Sequence, residues 1–552
     1  MTERWWEMSL LAEQAAVGSD PSSPAERLRA AADSEPDAPV APAFRLWAAD
    51  GLARAGRDRE AVAAYDETLP AAGRSDFEGI DFATEALRNR AGSLARLGDV
   101  DGAVAGYRDL AARGDAKQAL FRAGVVAERG GRRQQAIELY EEAADPARRP
   151  GEGYGQAALR AAQRLAGEAG AFAPSPLAIA DRLKAALAGG DAGQLRKLAS
   201  PTHLQAGPGG GHFQFEDEEI LEWLCEDLGR SRPRPFGRSL LGTGGKRYLL
   251  TSGWRGKHFK GIVGFCLMRS ARGWEWSGIL VTGPSDPWLE RWEPAEKATN
   301  QPLPFELLAP WPEGRCFTAG GLPGFIADMA VIAGAWSFFG LIGAGIAVAF
   351  SGRDCGFGLR GFYYNEGPTH SGPNAFAIDF TTYRRWAPFA NAARGVPVLS
   401  AANGIVRMAD GTTSSGDSSH ANEVQINHDD PATGKPRFVS RYMHMAGPGM
   451  IPVSAGMVAP TGRRLGVIND TGNSVLDHLH FSIHDTAAGS GIGPSVRPTP
   501  MEGRSLGDRD SGTCICSTNE ERVVIDLPPG CVKAVRREGC ARILKRLLGS
   551  GR

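Results

Sequence analysis

Asp477-His478-Leu479-His480-Phe481-Ser482-Ile483 sets two imidazoles two residues apart in text rich in strand formers. Strand alternation sends residues 478 and 480 to one face and Leu479 and Phe481 to the other. The spacing predicts a strand whose apolar face enters a core while its opposite face carries two histidines. Neutral imidazole is a common zinc ligand, and catalytic zinc usually keeps three protein ligands and one open position for water. Only one of the two histidines need bind a metal; the other can touch substrate or water. A single His-x-His is weak by itself, so the reading depends on the residues upstream of it.

Two upstream segments add to it: HSGPNAFAIDF (370–380), holding His370 and Asp379, and RYMHM (441–445), holding His444. GVPVLSAANGIVRMADG (395–411), NEVQINH (422–428) and LGVINDTGNS (465–474) separate them with strand-and-turn text. Taken jointly, these segments resemble the lysostaphin/LytM-type zinc endopeptidases, whose pattern is a His…Asp pair, a Tyr-x-His segment and a His-Leu-His-Phe strand. The resemblance covers residues 355–490 and implies a small, mainly antiparallel β domain with its site in a groove. It implies that His370, Asp379 and His480 hold Zn2+ and that His444 and His478 form the catalytic pair. Which of those two acts as base stays open.

The chain departs from the family pattern twice. The commonest version of the first motif puts Asp four residues after His, where this chain has Asn374; the Asp comes nine residues on, in the strand-like AIDF. The segment TTYRRWAPFANAAR (381–394) is an insertion, expected to rim the groove. Other polar residues carry lesser expectations. His428 ends a strand and should pack or cap. His420, in a Ser/Gly loop, should be solvated. His484 would share the face of 478 and 480 only if the strand continues, and Asp477 suits a turn.

The function implied is hydrolysis of peptide bonds in bacterial peptidoglycan by a zinc metalloendopeptidase. Two alternatives are a secreted or injected antibacterial effector with the same chemistry and a non-enzymatic regulator of a partner wall hydrolase. Filled metal and catalytic positions argue against the regulator.

Toward the N-terminus, residues 1–40 read as a disordered lead-in rich in Pro, Ser and Asp. GRDREAVAAY (56–65), GDVDGAVAGY (98–107) and GRRQQAIELY (131–140) share Gly, then Ala five residues on, then Tyr four later. Gly permits a tight turn between paired helices, small Ala lets them approach, and Tyr packs on the next repeat. Residues 41–170 thus resemble tetratricopeptide repeats, with an unknown protein partner and a capping helix over 155–170. Helical text followed by three strand-like runs makes 171–290 an α+β domain, weakly similar to the SnoaL-type cone, with Trp254, Trp274 and Trp276 expected in its core. Residues 291–328 are Pro-rich and read as a linker.

Residues 329–350 form a 22-residue run without a charge. As a helix it would reach about 33 Å, enough for a bilayer core of about 30 Å. The expectation is a transmembrane helix and a multidomain α+β chain, single-pass in the bacterial inner membrane, with the peptidase on the outer side. Flanking charges do not set its orientation, and Glu3 and Glu7 argue against a cleaved export signal. The 491–552 tail holds Cys514, Cys516, Cys531 and Cys540, read as disulfide formers, with a four-thiolate zinc site or free thiols as rivals. Lys+Arg of 62 against Asp+Glu of 63 leaves no electrostatic case for nucleic acid as a partner.

Overall fold

The computed structural model describes residues 22–72, 80–145, 172–199, 205–207, 217–235, 246–281, 303–318, 361–365, 376–415, 420–488, 492–502 and 514–521. A few positions inside these stretches are not described, and isolated ones near 8–12 and 158–165 are. The N-terminal part is an array of antiparallel helices: α1 Ser22–Ser34, α2 Ala41–Arg54, α3 Asp58–Ala72, α4 Phe82–Arg96, α5 Val100–Ala112, α6 Ala116–Arg129 and α7 Arg133–Ala144. Side-chain caps start two of them: Asp81 accepts from Thr84 N at 3.0 Å and Asp99 from Gly102 N at 2.9 Å. Gly56, Gly98 and Gly131 sit in the turns of three helix pairs with φ of 75°, 78° and 74°, a conformation that disfavours any side chain. Five residues after each, Ala61, Ala103 and Ala136 are fully buried, and Tyr65, Tyr107 and Tyr140 are buried beyond them. The described residues of the 155–170 segment, among them Ala158 and Leu165, are buried in the core of α5–α7.

The middle unit has its own core. Helices α8 Pro176–Gly189, α9 Ala192–Leu198 and α10 Asp217–Leu228 accompany strands β1 Gln205–Gly207, β2 Arg234–Pro235, β3 Lys246–Arg255, β4 Lys260–Ser270 and β5 Gly273–Val281. The sheet order is β1-β5-β4-β3-β2. Trp254 and Trp276 are buried in its apolar centre, and Trp274 packs on its margin.

The C-terminal unit is built on β6 Cys316–Thr318, β7 Gly361–Asn365, β8 Ile378–Arg384, β9 Ala387–Asn391, β10 Pro397–Leu399, β11 Gly404–Asp410, β12 Asn422–Asp430, β13 Lys435–Met445, β14 Val458–Ala459, β15 Arg464–Val467, β16 Leu479–Asp485, β17 Ser495–Val496 and β18 Cys514–Cys516. The principal order is β14-β11-β12-β13-β16-β8-β7-β6-β18, with β9 on β8 and β17 on β16; β10 and β15 pair separately. Part of the Pro-rich segment belongs to this core: Leu303, Leu307 and Trp311 are buried in it, with Trp311 edge-on to Phe380 at 4.6 Å between ring centres. The chain returns to the same place near its end, where Asn519 Nδ2 donates to the carbonyls of Ala309 and Ser400. The backbone register sets Cys516 opposite Cys316. Of the four tail cysteines, Cys531 and Cys540 lie outside the described residues, so the disulfide expectation falls there too.

One apolar cluster runs through both the first helices and the C-terminal sheet, joining Phe44, Leu46 and Trp47 to Val453, Ala455 and Met457. Trp47 Nε1 donates to the Ala455 carbonyl at 2.7 Å.

The transmembrane expectation is corrected. No helix among the described residues is long and apolar enough to cross a membrane. The longest have 15 residues and reach about 22 Å, short of a core of about 30 Å. Residues 329–350 themselves lie outside the described residues. The single-pass inner-membrane placement falls with that helix.

Candidate active site

The site is assembled on three neighbouring strands. In β16, Leu479, Phe481 and Ile483 are fully buried in the core, which turns His480 to the opposite face. His480 stands opposite Asp379 of β8, itself set between the buried Ile378 and Phe380. Directly opposed residues of an antiparallel pair share a face, so the carboxylate and the imidazole meet. Asp379 Oδ1 lies 3.1 Å from His480 Nδ1 and 3.4 Å from His478 Nε2. All three residues are buried.

His444 arrives by a different route. On β13, Tyr442 opposes Phe481 on the core face and Met443 opposes His480 on the site face. Strict alternation would send His444 to the core side with Tyr442. Instead Asn422 pairs with Met445 and Glu423 with Met443, leaving His444 as the extra residue of a bulge. Its φ is 63°, left-handed and rare outside glycine. Bulges re-aim side chains, and this one carries the ring to 4.5 Å from His478 and 6.1 Å from His480, centre to centre.

The surrounding bonds hold these rings in place. His444 Nδ1–H donates to the Thr471 carbonyl at 2.7 Å, which leaves Nε2 as the bare nitrogen of a neutral ring. Burial, then the neighbouring His478 and His480, holds His444 well below the ordinary histidine range. Ser474 Oγ lies 3.1 Å from His478 Nδ1. Arg394 Nη2 spans Asp470 at 2.5 Å and Asp477 at 2.8 Å, tying together the two ends of the turn before β16.

Four of the five site residues expected from the sequence, Asp379, His444, His478 and His480, thus converge; His370 and the rival Asn374 lie outside the described residues. His428 is a buried structural group, 2.8 Å from the Asn403 carbonyl and 2.7 Å from Ser440 Oγ. His484 is likewise engaged elsewhere, with Ser482 Oγ and the Gly493 carbonyl. His420, expected in solvent, is buried, its Nε2 2.9 Å from Asp410 Oδ2. Sequence reasoning missed Arg394 and the bulge at His444. The first had no motif around it, and a bulge depends on the partner strand.

The donor set suits zinc. Carboxylate oxygen and imidazole nitrogen are both ligands for that ion, and Asp379 Oδ1 and His480 Nδ1 face each other at 3.1 Å in a buried site; among the described residues no group of three or more His, Cys, Asp or Glu side chains could hold a metal ion.

Comparison with known proteins agrees with the C-terminal assignment. Residues 389–493 match the model of peptidase family M23, and this part of the chain is a LytM-type peptidase domain. Among solved structures, the chain is similar to a tetratricopeptide repeat protein from Parabacteroides merdae ATCC 43184, at 17% identity over 36% of this chain and 72% of that one, with TM-score 0.23. It is also similar to a zinc containing peptidase from Vibrio cholerae, at 14% identity over 53% and 69%, with TM-score 0.16. No curated protein matches.

Proposed function

We propose that the M23 domain of this chain is a zinc-dependent endopeptidase acting on the peptide part of bacterial peptidoglycan. The observation that carries this reading is the convergence of Asp379, His444, His478 and His480 in one buried cluster. The substrate class comes from the family likeness.

In this reading Asp379 and His480, with His370, would hold the metal, which when bound would lower the pKa of a water toward about 7 and polarise the scissile carbonyl. The remaining chemistry belongs to side chains of this chain. His444, kept neutral by burial and oriented by Thr471, can accept a proton at Nε2 from the attacking water. His478, beside it, can hydrogen-bond the oxyanion that develops as the carbonyl is attacked. Burial of the cluster strengthens each of these interactions.

The test is digestion of purified peptidoglycan by the full chain, with released peptides identified by mass spectrometry. Release should stop with a chelator and return with zinc. His444→Ala should lower release by about a hundredfold or more and keep its metal, whereas His480→Ala should lose both. Undiminished release by both variants would sink the site assignment.

A further inference from the structure

The helical array also meets the peptidase unit through buried polar groups. Arg122 of α6 donates from Nη1 to Asp410 Oδ2 at 2.8 Å and from Nη2 to Asp410 Oδ1 at 3.2 Å, and reaches Thr412 Oγ1 as well. Arg88 Nε lies 3.9 Å from the same carboxylate and pairs with Glu85, whose Oε2 accepts from Ala409 N at 3.4 Å. Gln118 Nε2 donates to His420 Nδ1 at 2.8 Å, and His420 Nε2 faces Asp410 Oδ2. Glu85, Arg88, Arg122, Asp410 and His420 are each no more than 5% exposed. Buried charges demand close geometric matching, so this join is specific. Burial alone would raise the Asp410 carboxyl, yet Arg122 and His420 hold it well below its usual range.

These contacts fall on the two ends of the β11–β12 connection, and that connection leads to His444. Asn422, two residues after His420, accepts from Thr413 N at 2.9 Å. Its side chain donates to the carbonyls of Thr413 at 2.7 Å and Met445 at 3.0 Å. Its backbone N–H donates to Thr471 Oγ1 at 3.0 Å, and that hydroxyl donates to the Met445 carbonyl at 2.8 Å. Thr471 is the residue whose carbonyl holds the His444 ring. A second contact bears on the segment after His444: Arg54 Nη1 lies 3.3 Å from the Val453 carbonyl and 3.1 Å from Ser454 Oγ.

We propose that the repeat face carrying Glu85, Arg88, Gln118 and Arg122 has the peptidase domain of its own chain as its partner, and that Arg122 and Gln118 are positioning residues for His444. The catalytic consequence rests on the peptidase reading; the mechanical link from repeats to bulge does not. Helical repeats offer extended protein-binding surfaces, and here such a surface is filled in cis.

The experiment is hydrogen exchange on the full chain, wild type against Arg122→Ala and Gln118→Ala, alongside peptidoglycan kinetics. Arg122→Ala should speed exchange at least tenfold at 409–413 and also at 420–422, 444–446 and 469–471, with β3–β5 of the middle unit unchanged. Gln118→Ala removes a hydrogen bond without stranding a charge, and should give the same pattern at about threefold. In both, kcat should fall with KM within about twofold and metal content unchanged. Should Arg122→Ala fail to fold, Gln118→Ala decides. Acceleration confined to 409–422, with 444–446 and 469–471 untouched, overturns the proposal. Spread of exchange in a wild-type background that cleaves no peptidoglycan supports the link and rejects the peptidase reading. An active wild type without that spread does the reverse.

Discussion

At the scale of single residues, burial gives the histidines of this domain different tasks. His444 is kept neutral and aimed by one backbone carbonyl. His428 is neutral as well, but as a strut between Asn403 and Ser440, its pKa pushed down by burial to about 4. That depression has a consequence for stability. Below the ordinary value of about 6.5 an unfolded chain takes up a proton that the folded site refuses. The contribution is therefore complete above about pH 6.5 and is lost as pH falls toward the folded value. Between pH 7 and 5 this group alone should cost the peptidase unit on the order of 2 kcal/mol. Urea midpoints at the two pH values check it: wild type should drop further than His428→Asn. The identity of these residues was readable in advance; their protonation was not, because it depends on what surrounds each ring. His420 shows this plainly, since its Ser/Gly-rich neighbours suggested solvent and Arg122 and Gln118, some 300 residues away in sequence, bury it.

At the scale of elements, periodicity did most of the work. Alternation in β16 is local, so the face of His480 followed from residues 479–483 alone, and the repeats were legible because Gly, Ala and Tyr recur at fixed offsets within each helix pair. Strand ends behave differently. The bulge at His444 is a register shift between β12 and β13, a property of two strands that neither encodes alone. The turn before β16 is similar. Gly472 has φ of 75°, and a Cβ there would come within 2.4 Å of Ala421 N, beside the Asn422–Thr471 bonds. Gly472→Ala should destabilise the unit by about 2 kcal/mol or more, combining backbone strain with overpacking, and should lower peptidase activity beyond the loss of folded protein. Circular dichroism melts and activity per folded molecule separate the two effects; a silent substitution would show that this turn does not govern the site.

At the scale of the whole molecule, the apolar core does not respect the boundaries drawn from composition. One cluster contains helices α1–α4, the Pro-rich segment around Trp311 and the peptidase sheet, while the middle unit keeps a separate core. The first helices and the peptidase unit should therefore unfold together and the middle unit by itself. Trp47 is fully buried and donates across that join. Trp47→Ala should cost about 3–5 kcal/mol, lowering the transition that includes the peptidase and leaving the other in place by calorimetry. Equal shifts of both transitions would contradict the shared core. The sequence by itself determined the repeat pattern, the strand alternation and the residue types at the site, because each is written in neighbours a few positions apart. Tertiary structure decided the bulge that turns His444, the burial of His420 and the union of the repeats with the peptidase. Each of these depends on which surfaces meet across hundreds of residues, and burial energies are set by that meeting.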